Sequence, residues 1–251
     1  MDKKITFETL KEILLNSDKP SVFFEEMRKS GSLLPDFKEL ADLQGVEQDP
    51  IFHPEGDAWV HTMQVIDSAA KMRSEVSDPL SFMLLALTHD FGKPATTEFT
   101  KGRIHSYMHE IKGVPVAERF LRRFTGDESV IGYVLNMIPL HMKPHVAASD
   151  NVPLKTTNRM YDAACAPYDL ICMAFADKEG SDDEREFLLS RLKEYRETMK
   201  KPYVTEKDLL EAGVDARDIP KALAFSHKLR LAGIEKQSAL RQTAAQIKSR
   251  K

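Results

Sequence analysis

A histidine and an aspartate stand side by side at the end of the apolar stretch LLALTHDFGKP (Leu84–Pro94). Neighbouring residues in a regular helix point about 100° apart, so His89 and Asp90 reach one ion most easily near a helix end, where the backbone unwinds. Gly92 and Pro94 supply such an end, the first as a residue suited to the left-handed conformation and the second as a stop. The pair is therefore either a capped terminus with a local hydrogen bond or part of a metal site.

A carboxylate and a histidine elsewhere in the chain fit the same pattern. Residues 170–176 are apolar on every side of a helix and Asp177 follows them directly, so this carboxylate lies at the rim of a core and needs a partner. On a helical wheel, His61 lies at the edge of an apolar arc that includes Trp59 and Ile66. A salt bridge or a satisfied core histidine would explain each residue alone. A shared metal ion is the more economical partner for all of them.

The histidines are unevenly distributed. Seven of the eight fall between positions 53 and 145, and histidine is the side chain best suited to metal ligation and proton transfer near neutral pH. His105 and His109 would share a helix face if the helix begins that early, whereas His141 ends another apolar run. These residues could bind a second metal, surround a substrate or cap helices. Lys93 adds a positive charge beside the His-Asp pair, which a metal-bound phosphate would use.

The elements that must position these residues are helical. Helical periodicity dominates the chain, and no segment shows the sustained alternation of a strand. Gly213 and Gly233 mark expected helix ends near the C-terminus. Helices are predicted near 57–73, 78–90, 107–124, 128–140, 158–178 and 182–200. The predicted architecture is all-α, a central helical bundle with smaller helical pieces on either side.

Composition places the chain among soluble globular proteins. Its 251 residues are 42% hydrophobic and 30% charged, with a net charge of −3, so the molecule as a whole has no basic footprint for nucleic acid, although local patches could exist. Two cysteines are expected to be reduced. The charged N-terminal residues lack a long apolar run, which predicts a cytoplasmic protein with neither a signal peptide nor a membrane span.

Several of these residues carry a family resemblance. His61, then His89-Asp90, then Asp177 resembles the H…HD…D signature of the HD-domain metal-dependent phosphohydrolases, and THDFGK is similar to their HD-x-GK stretch. Four segments, HPEGDAWVHTM, THDFGKPATT, GRIHSYMHEIKG and TEKDLLEAGVDARDIPKAL, are similar in order and spacing to the HD-containing and C-terminal region of bacterial tRNA nucleotidyltransferases, the CCA-adding enzymes. The resemblance runs from about residue 7 to residue 240.

The resemblance implies an HD-domain helical bundle at 53–180, with helical segments at 1–52 and 181–251. In such a domain one divalent metal ion would be bound by His61, His89, Asp90 and Asp177, and His109 and His141 occupy the places of ligands to a second. Met108 stands where the relatives often have glycine, which leaves the ligand intact and alters the backbone around it. A nitrogen and oxygen ligand set without thiolate suits Mn, Fe, Co, Ni, Zn or Mg, with one or two ions per chain.

The expected function is a phosphohydrolase, either a phosphatase or a phosphodiesterase, that acts on a phosphorylated small molecule or a nucleotide. Asp90 and Lys93 would be catalytic, and Lys93, Arg103 and Lys143 would bind substrate. RNA is a possible partner. The alternatives are a non-catalytic RNA-binding or interaction module, and the HD half of a split tRNA nucleotidyltransferase. No segment resembles the nucleotidyltransferase head of the CCA-adding enzymes, so nucleotide addition by this chain alone is not expected.

Overall fold

The computed structural model describes residues 5–178 and 180–249. Contacts divide these residues into two compact units, the first lying within 1–146 and 164–181 and the second within 147–163 and 182–251. The predicted all-α class is confirmed, since helices make up most of the described chain. The predicted boundaries of the HD domain, near residues 52 and 180, stay a prediction.

The helices follow one another with short connections. In chain order they are α1 (Phe7–Asn16), α2 (Ser21–Ser30), α3 (Lys38–Ala41), α4 (Ala58–Met72), α5 (Pro79–Thr88), α6 (His109–Phe124), α7 (Glu128–Met137), α8 (Lys143–Ser149), α9 (Leu154–Ala163), α10 (Pro167–Asp177), α11 (Asp182–Lys200), α12 (Glu206–Glu211), α13 (Ile219–Leu231) and α14 (Lys236–Lys248). Two strands, β1 (Thr97–Thr100) and β2 (Arg103–Ser106), form an antiparallel hairpin between α5 and α6.

The core of the first unit is built around α5, which packs against α4 and α10. Every residue of α5 from Ser81 to Thr88 is buried, as expected for a helix that is apolar on all sides. Asp78 caps its N-terminus by accepting a hydrogen bond from the Ser81 amide, and Pro79 occupies the first turn, where its missing N–H costs nothing. The helix therefore starts at the surface and carries its C-terminal end into the core.

The single helix predicted over 158–178 is wrong, because the structure divides it into α9 and α10. The break lies at residues 164–166, directly before Pro167. Proline has no amide N–H and disfavours helical backbone at the residue before it, so α10 begins there as a new helix. Cys165 lies in the break, where its N–H donates to the Asn136 side-chain oxygen at 2.8 Å.

The β-hairpin was not predicted, because each strand has only four residues. Lys101 and Gly102 connect the strands, and both have positive φ, 52° and 77°, as the commonest tight hairpin turns require. His105 belongs to β2, and α6 begins at His109 after Met108, which also has a positive φ of 64°. His105 and His109 therefore do not share a helix face, which corrects that expectation.

Gly92 has a different reason for being glycine than the sequence suggested. Its φ is −83°, so it is not left-handed. A Cβ atom at Gly92 would instead lie 2.0 Å from the His109 carbonyl oxygen and 2.7 Å from the Gly113 backbone nitrogen. Glycine is needed here because the loop after α5 passes directly against the first turn of α6.

The second unit is a separate group of helices in which α13 packs against α9, α11, α12 and α14. Gly213 and Gly233 follow α12 and α13 with φ of 76° and 77°, which confirms the predicted helix ends. The core of this unit includes six buried side chains, Val204, Leu209, Val214, Ile219, Ala222 and Ala239. None of the described helices is long and apolar enough to cross a membrane.

Candidate metal centre

The His-Asp pair lies where α5 ends. His89 is the C-terminal cap residue of that helix, its N–H donating to the Leu85 carbonyl, and Asp90 follows in a turn before a short 3₁₀ segment at Lys93–Ala95. The two side chains are buried, with exposures of 0% and 1%. The end of α5 thus carries an imidazole and a carboxylate into the interior of the first unit.

Four of the predicted residues converge on one point. His61 Nε2 lies 2.8 Å from Asp177 Oδ1 and 3.6 Å from Asp90 Oδ2. His89 Nε2 lies 3.2 Å from Asp90 Oδ2 and 3.3 Å from Asp177 Oδ1. Ligand atoms about 2.1 Å from a common ion are separated by about 3.0–3.4 Å at octahedral or tetrahedral angles. The two His89 distances fall in this range, and the two His61 distances lie about 0.2 Å outside it.

The other oxygen of Asp90 faces a second group. His109 Nε2 lies 3.3 Å from Asp90 Oδ1 and 3.4 Å from His141 Nε2. These ligand atoms are close enough to hold a metal ion, as are those of His61, His89 and Asp90. The Asp90 carboxylate thus lies between two groups of candidate ligands, with one oxygen directed to each.

Outer hydrogen bonds fix the orientation of the four imidazoles. Each Nδ1 bonds to an acceptor behind the ring, which leaves Nε2 directed inward with a lone pair when the ring is neutral. The acceptors are Ala86 O for His89, Ser106 O for His109, Ile138 O for His141 and Glu55 Oε1 for His61, at 2.9, 2.8, 2.7 and 2.8 Å respectively. Histidines held in this way are prepared to bind metal.

Buried polar atoms without partners support the same conclusion. His89 Nε2 and Asp90 Oδ1 are buried and have no partner in hydrogen-bonding geometry among the described residues. An unsatisfied buried polar atom destabilises a fold, and a divalent cation would satisfy both. The residues present therefore fit a metal ion.

The electrostatics of the cluster are strongly perturbed. Burial works to raise the pKa of Asp90, but His89 and Lys93 hold it well below its usual value, and His61 and His89 do the same for Asp177. Burial would lower the pKa of His89, but Asp90 and Asp177 raise it to about 10. Asp177 and Glu55 likewise raise the pKa of His61 against the effect of burial. A metal ion bound to this group would therefore have to displace protons from its histidines.

His141 has the opposite tendency. Burial, together with the nearby charge of His89, lowers its pKa to about 4. His141 is therefore neutral at physiological pH, with its Nε2 lone pair available. A metal ion bound to the first group would therefore have to displace a proton from His89, whereas His141 in the second group has none to lose from Nε2.

A cavity of about 540 Å³ opens onto the cluster. Of the residues predicted to contact substrate, Lys93 and Arg103 line it, whereas Lys143 is exposed at the start of α8 and is not among the lining residues. Lys93 is 5% exposed and its Nζ lies 2.6 Å from Asp90 Oδ2, so its charge is paired within the site. Arg103 is half-exposed, 3.7 Å from Asp49.

Sequence reasoning missed several residues of the site. Glu55 lies behind His61, and the cavity wall includes Gln48, Tyr107, His145 and Lys178. His145 was noted only as a member of the histidine cluster, and Glu55 is part of HPEGD, where a carboxylate near two histidines was the available signal. Tyr107 belongs to GRIHSYMHEIKG, a segment of the resemblance in which only the histidines were considered as site residues, and Gln48 belongs to a loop that gave no signal.

The first unit is α-helical and brings the ends of two buried helices together at a cluster of histidines and aspartates. It is therefore of the class of α-helical domains that can hold divalent metal ions. Residues 59–181, just under half of the chain, match the model of the HD domain family.

The chain is also similar to several proteins named Multifunctional CCA protein. It is 32% identical over 146 residues to that of Actinobacillus pleuropneumoniae serotype 5b, covering 58% of the chain and 34% of the relative. With the Ralstonia nicotianae protein it shares 40% over 105 residues, 42% of the chain and 23% of the relative. It is 47% identical over 77 residues to the Methylococcus capsulatus protein, covering 31% of the chain and 17% of the relative. The chain spans about a third or less of these relatives, and the resemblance is confirmed over that part.

Proposed function

We propose that the protein is a metal-dependent phosphohydrolase, a phosphatase or phosphodiesterase that acts on a nucleotide-like or RNA-derived phosphoester. The observation that carries the proposal is the position of Asp90, whose two carboxylate oxygens face separate groups of histidine and aspartate ligands at the floor of a cavity. Such paired groups suit two metal ions that share one carboxylate.

The first ion would be held by His61, His89, Asp90 and Asp177, and the second by Asp90, His109 and His141. The ligand atoms are nitrogen and oxygen only, which suits Mn, Fe, Co, Ni, Zn or Mg. When bound, such ions supply Lewis acidity, lowering the pKa of water and neutralising charge on phosphoryl oxygens.

The protein's own side chains orient these groups and the substrate. Lys93 stabilises the Asp90 carboxylate in its ionised form and adds positive charge at the cavity floor. Arg103, on the hairpin that lines the cavity, is a better candidate than Lys143 to contact a phosphate, because Lys143 does not line the cavity. The volume of about 540 Å³ lies within the range of small-ligand sites, about 300–1,000 Å³.

Aromatic side chains at the cavity support a base-bearing substrate. The rings of His105 and Tyr107 stack with centroids 4.8 Å apart and planes inclined by 14°. Tyr107 and Phe52 both line the cavity and are more than half exposed. Exposed rings offer stacking surfaces for nucleobases, and the similarity to proteins named Multifunctional CCA protein supports an RNA-derived substrate.

The test begins with the metal content of the purified protein. A screen of 2′,3′-cyclic nucleotides, nucleoside monophosphates and generic phosphoesters with added Mn²⁺, Co²⁺ or Ni²⁺ then follows. Asp90→Asn should abolish turnover and reduce metal content, because the shared carboxylate is lost. Asp18→Asn, at an exposed aspartate outside the cavity, is the matched control and should change neither.

Absence of both bound metal and turnover in the wild-type protein would refute the proposal. That result would favour the alternatives predicted from the sequence, an RNA-binding or interaction module or the HD half of a split tRNA nucleotidyltransferase. Retained turnover in Asp90→Asn would remove Asp90 from its assigned role.

A further inference from the structure

Gln48 is a buried amide on the wall of the cavity, 4% exposed. Its backbone N–H donates to the Gly56 carbonyl at 2.9 Å, next to an isolated bridge between Glu47 and Asp57. Asp57 caps the N-terminus of α4, the helix that carries His61. The backbone of Gln48 is therefore tied to an element that positions the candidate metal centre.

The orientation of the Gln48 amide follows from its neighbour. Lys93 Nζ forms a hydrogen bond with Gln48 Oε1 and an ion pair with Asp90 Oδ2 at 2.6 Å. An ammonium group has only donors, so the oxygen of the amide must face Lys93 and the NH₂ group must point elsewhere. Nε2 is buried and has no hydrogen-bond partner among the described residues.

This unsatisfied donor belongs to a local group. In the described part of the first unit, the buried side-chain atoms without a hydrogen-bond partner belong to Gln48, His89 and Asp90. His89 and Asp90 are in the candidate metal centre, and Lys93 connects Asp90 to Gln48. Because folded proteins rarely retain an unsatisfied buried donor without a functional reason, Gln48 is best explained together with the site that it adjoins.

We propose that Gln48 is a substrate-binding residue. Its amide N–H donates to a phosphoryl oxygen of the phosphoester, while its carbonyl oxygen holds Lys93 beside Asp90. A neutral amide fits this position because one oxygen can accept from Lys93 while the nitrogen still offers a donor, which neither a carboxylate nor a second lysine provides. This assignment rests on the proposed function, since it presumes that a phosphoryl group binds above Asp90.

The test is the affinity of the Mn²⁺-loaded protein for inorganic phosphate, measured by calorimetry, which requires no turnover. Gln48→Met is close in size and removes both hydrogen bonds, and it should weaken phosphate binding about ten- to hundredfold, the effect of losing a hydrogen bond to a charged group. Manganese content should remain at the wild-type value. Gln48→Leu is the second variant if the methionine variant does not fold.

A double-mutant cycle separates direct donation from an effect through Lys93. In a Lys93→Met background, Gln48→Met should weaken phosphate binding by a further tenfold or so if the amide contacts phosphate directly. Equal affinities of Lys93→Met and the double variant would reduce Gln48 to a positioning residue for Lys93 and overturn the proposal.

The matched control is Gln44→Met, at an exposed glutamine of the same segment whose amide donates to the Ala41 carbonyl. Its phosphate affinity should equal that of the wild type. An unchanged affinity in Gln48→Met, or no phosphate binding by the Mn²⁺-loaded wild-type protein, would also overturn the proposal. Phosphate binding that depends on Gln48 in a protein that hydrolyses no phosphoester would instead leave Gln48 in place and refute the proposed reaction.

Discussion

Gly92 controls how closely the loop after α5 approaches α6, and so where His109 lies relative to Asp90. A Cβ atom at Gly92 would be 2.0 Å from the His109 carbonyl oxygen, whereas real Cβ contacts are essentially never under 3.0 Å. In Gly92→Ala the two backbones must therefore part by at least about 1 Å (3.0 − 2.0). Both partners are backbone, so no side-chain rotation relieves the clash.

The consequence for the metal centre follows from the tolerance of ligand distances. Functional metal sites keep their ligands within about 0.2 Å of the preferred distance, so a displacement of about 1 Å at His109 removes it from the second ligand group. The overpacking should also cost about 1–3 kcal/mol of unfolding free energy. We expect Gly92→Ala to lose the metal held by Asp90, His109 and His141 and to keep the other.

The assay is metal stoichiometry after equilibration with Mn²⁺, combined with urea unfolding. Two glycines provide a graded comparison: a Cβ at Gly113 would lie 3.0 Å from the Gly92 nitrogen, and one at Gly132, in α7, would meet nothing within 4 Å. Gly113→Ala should therefore have an intermediate effect. Gly132→Ala should bind metal normally and be more stable by about 0.5–1 kcal/mol, the helix propensity gain. Wild-type stoichiometry and stability in Gly92→Ala would refute the reasoning.

Three further predictions concern protonation and the support of His61. Asp90 and Asp177 outweigh burial and raise the pKa of His89 to about 10, so a metal ion must displace its proton. The Mn²⁺ affinity measured by calorimetry should therefore rise with pH by up to about tenfold per pH unit below that pKa. A pH-independent affinity would count against the site. In the metal-free protein the same raised pKa stabilises the fold below about pH 6.5, and this contribution is lost as pH rises toward about 10, so the metal-free Tm should fall over that interval. Glu55→Gln weakens the contact with His61 Nδ1 that orients the imidazole and should reduce Mn²⁺ affinity about 10–100-fold. Glu98→Gln, at an exposed glutamate of β1, is the control and should leave the affinity unchanged.

The parts of the fold that local sequence patterns determine were predictable. The apolar run that ends at His89-Asp90 forms a buried helix, and Asp177 ends a second buried helix, because both patterns are set by the period of a helix and a demand for burial. The convergence of His61, His89, Asp90 and Asp177 followed from the resemblance, and the distances between them are consistent with it.

The features that depend on contacts distant in the sequence were not predictable. Gly92 was expected to be left-handed, since a helix end gives that local signal, while its actual constraint comes from the backbone of α6. The hairpin at 97–106 is too short for alternation to be visible. Gln48 and Glu55 enter the site only because residues 46–58 fold back onto the start of α4, through hydrogen bonds that no local pattern specifies.

The proposed position of Asp90 between two metal ions is tested most directly by anomalous diffraction at the manganese edge, from crystals grown with Mn²⁺. We predict two anomalous peaks, one near each Asp90 carboxylate oxygen at about 2.0–2.3 Å, the first also contacting His61, His89 and Asp177 and the second also contacting His109 and His141. A manganese-saturated crystal with fewer than two anomalous peaks beside Asp90 would contradict the account.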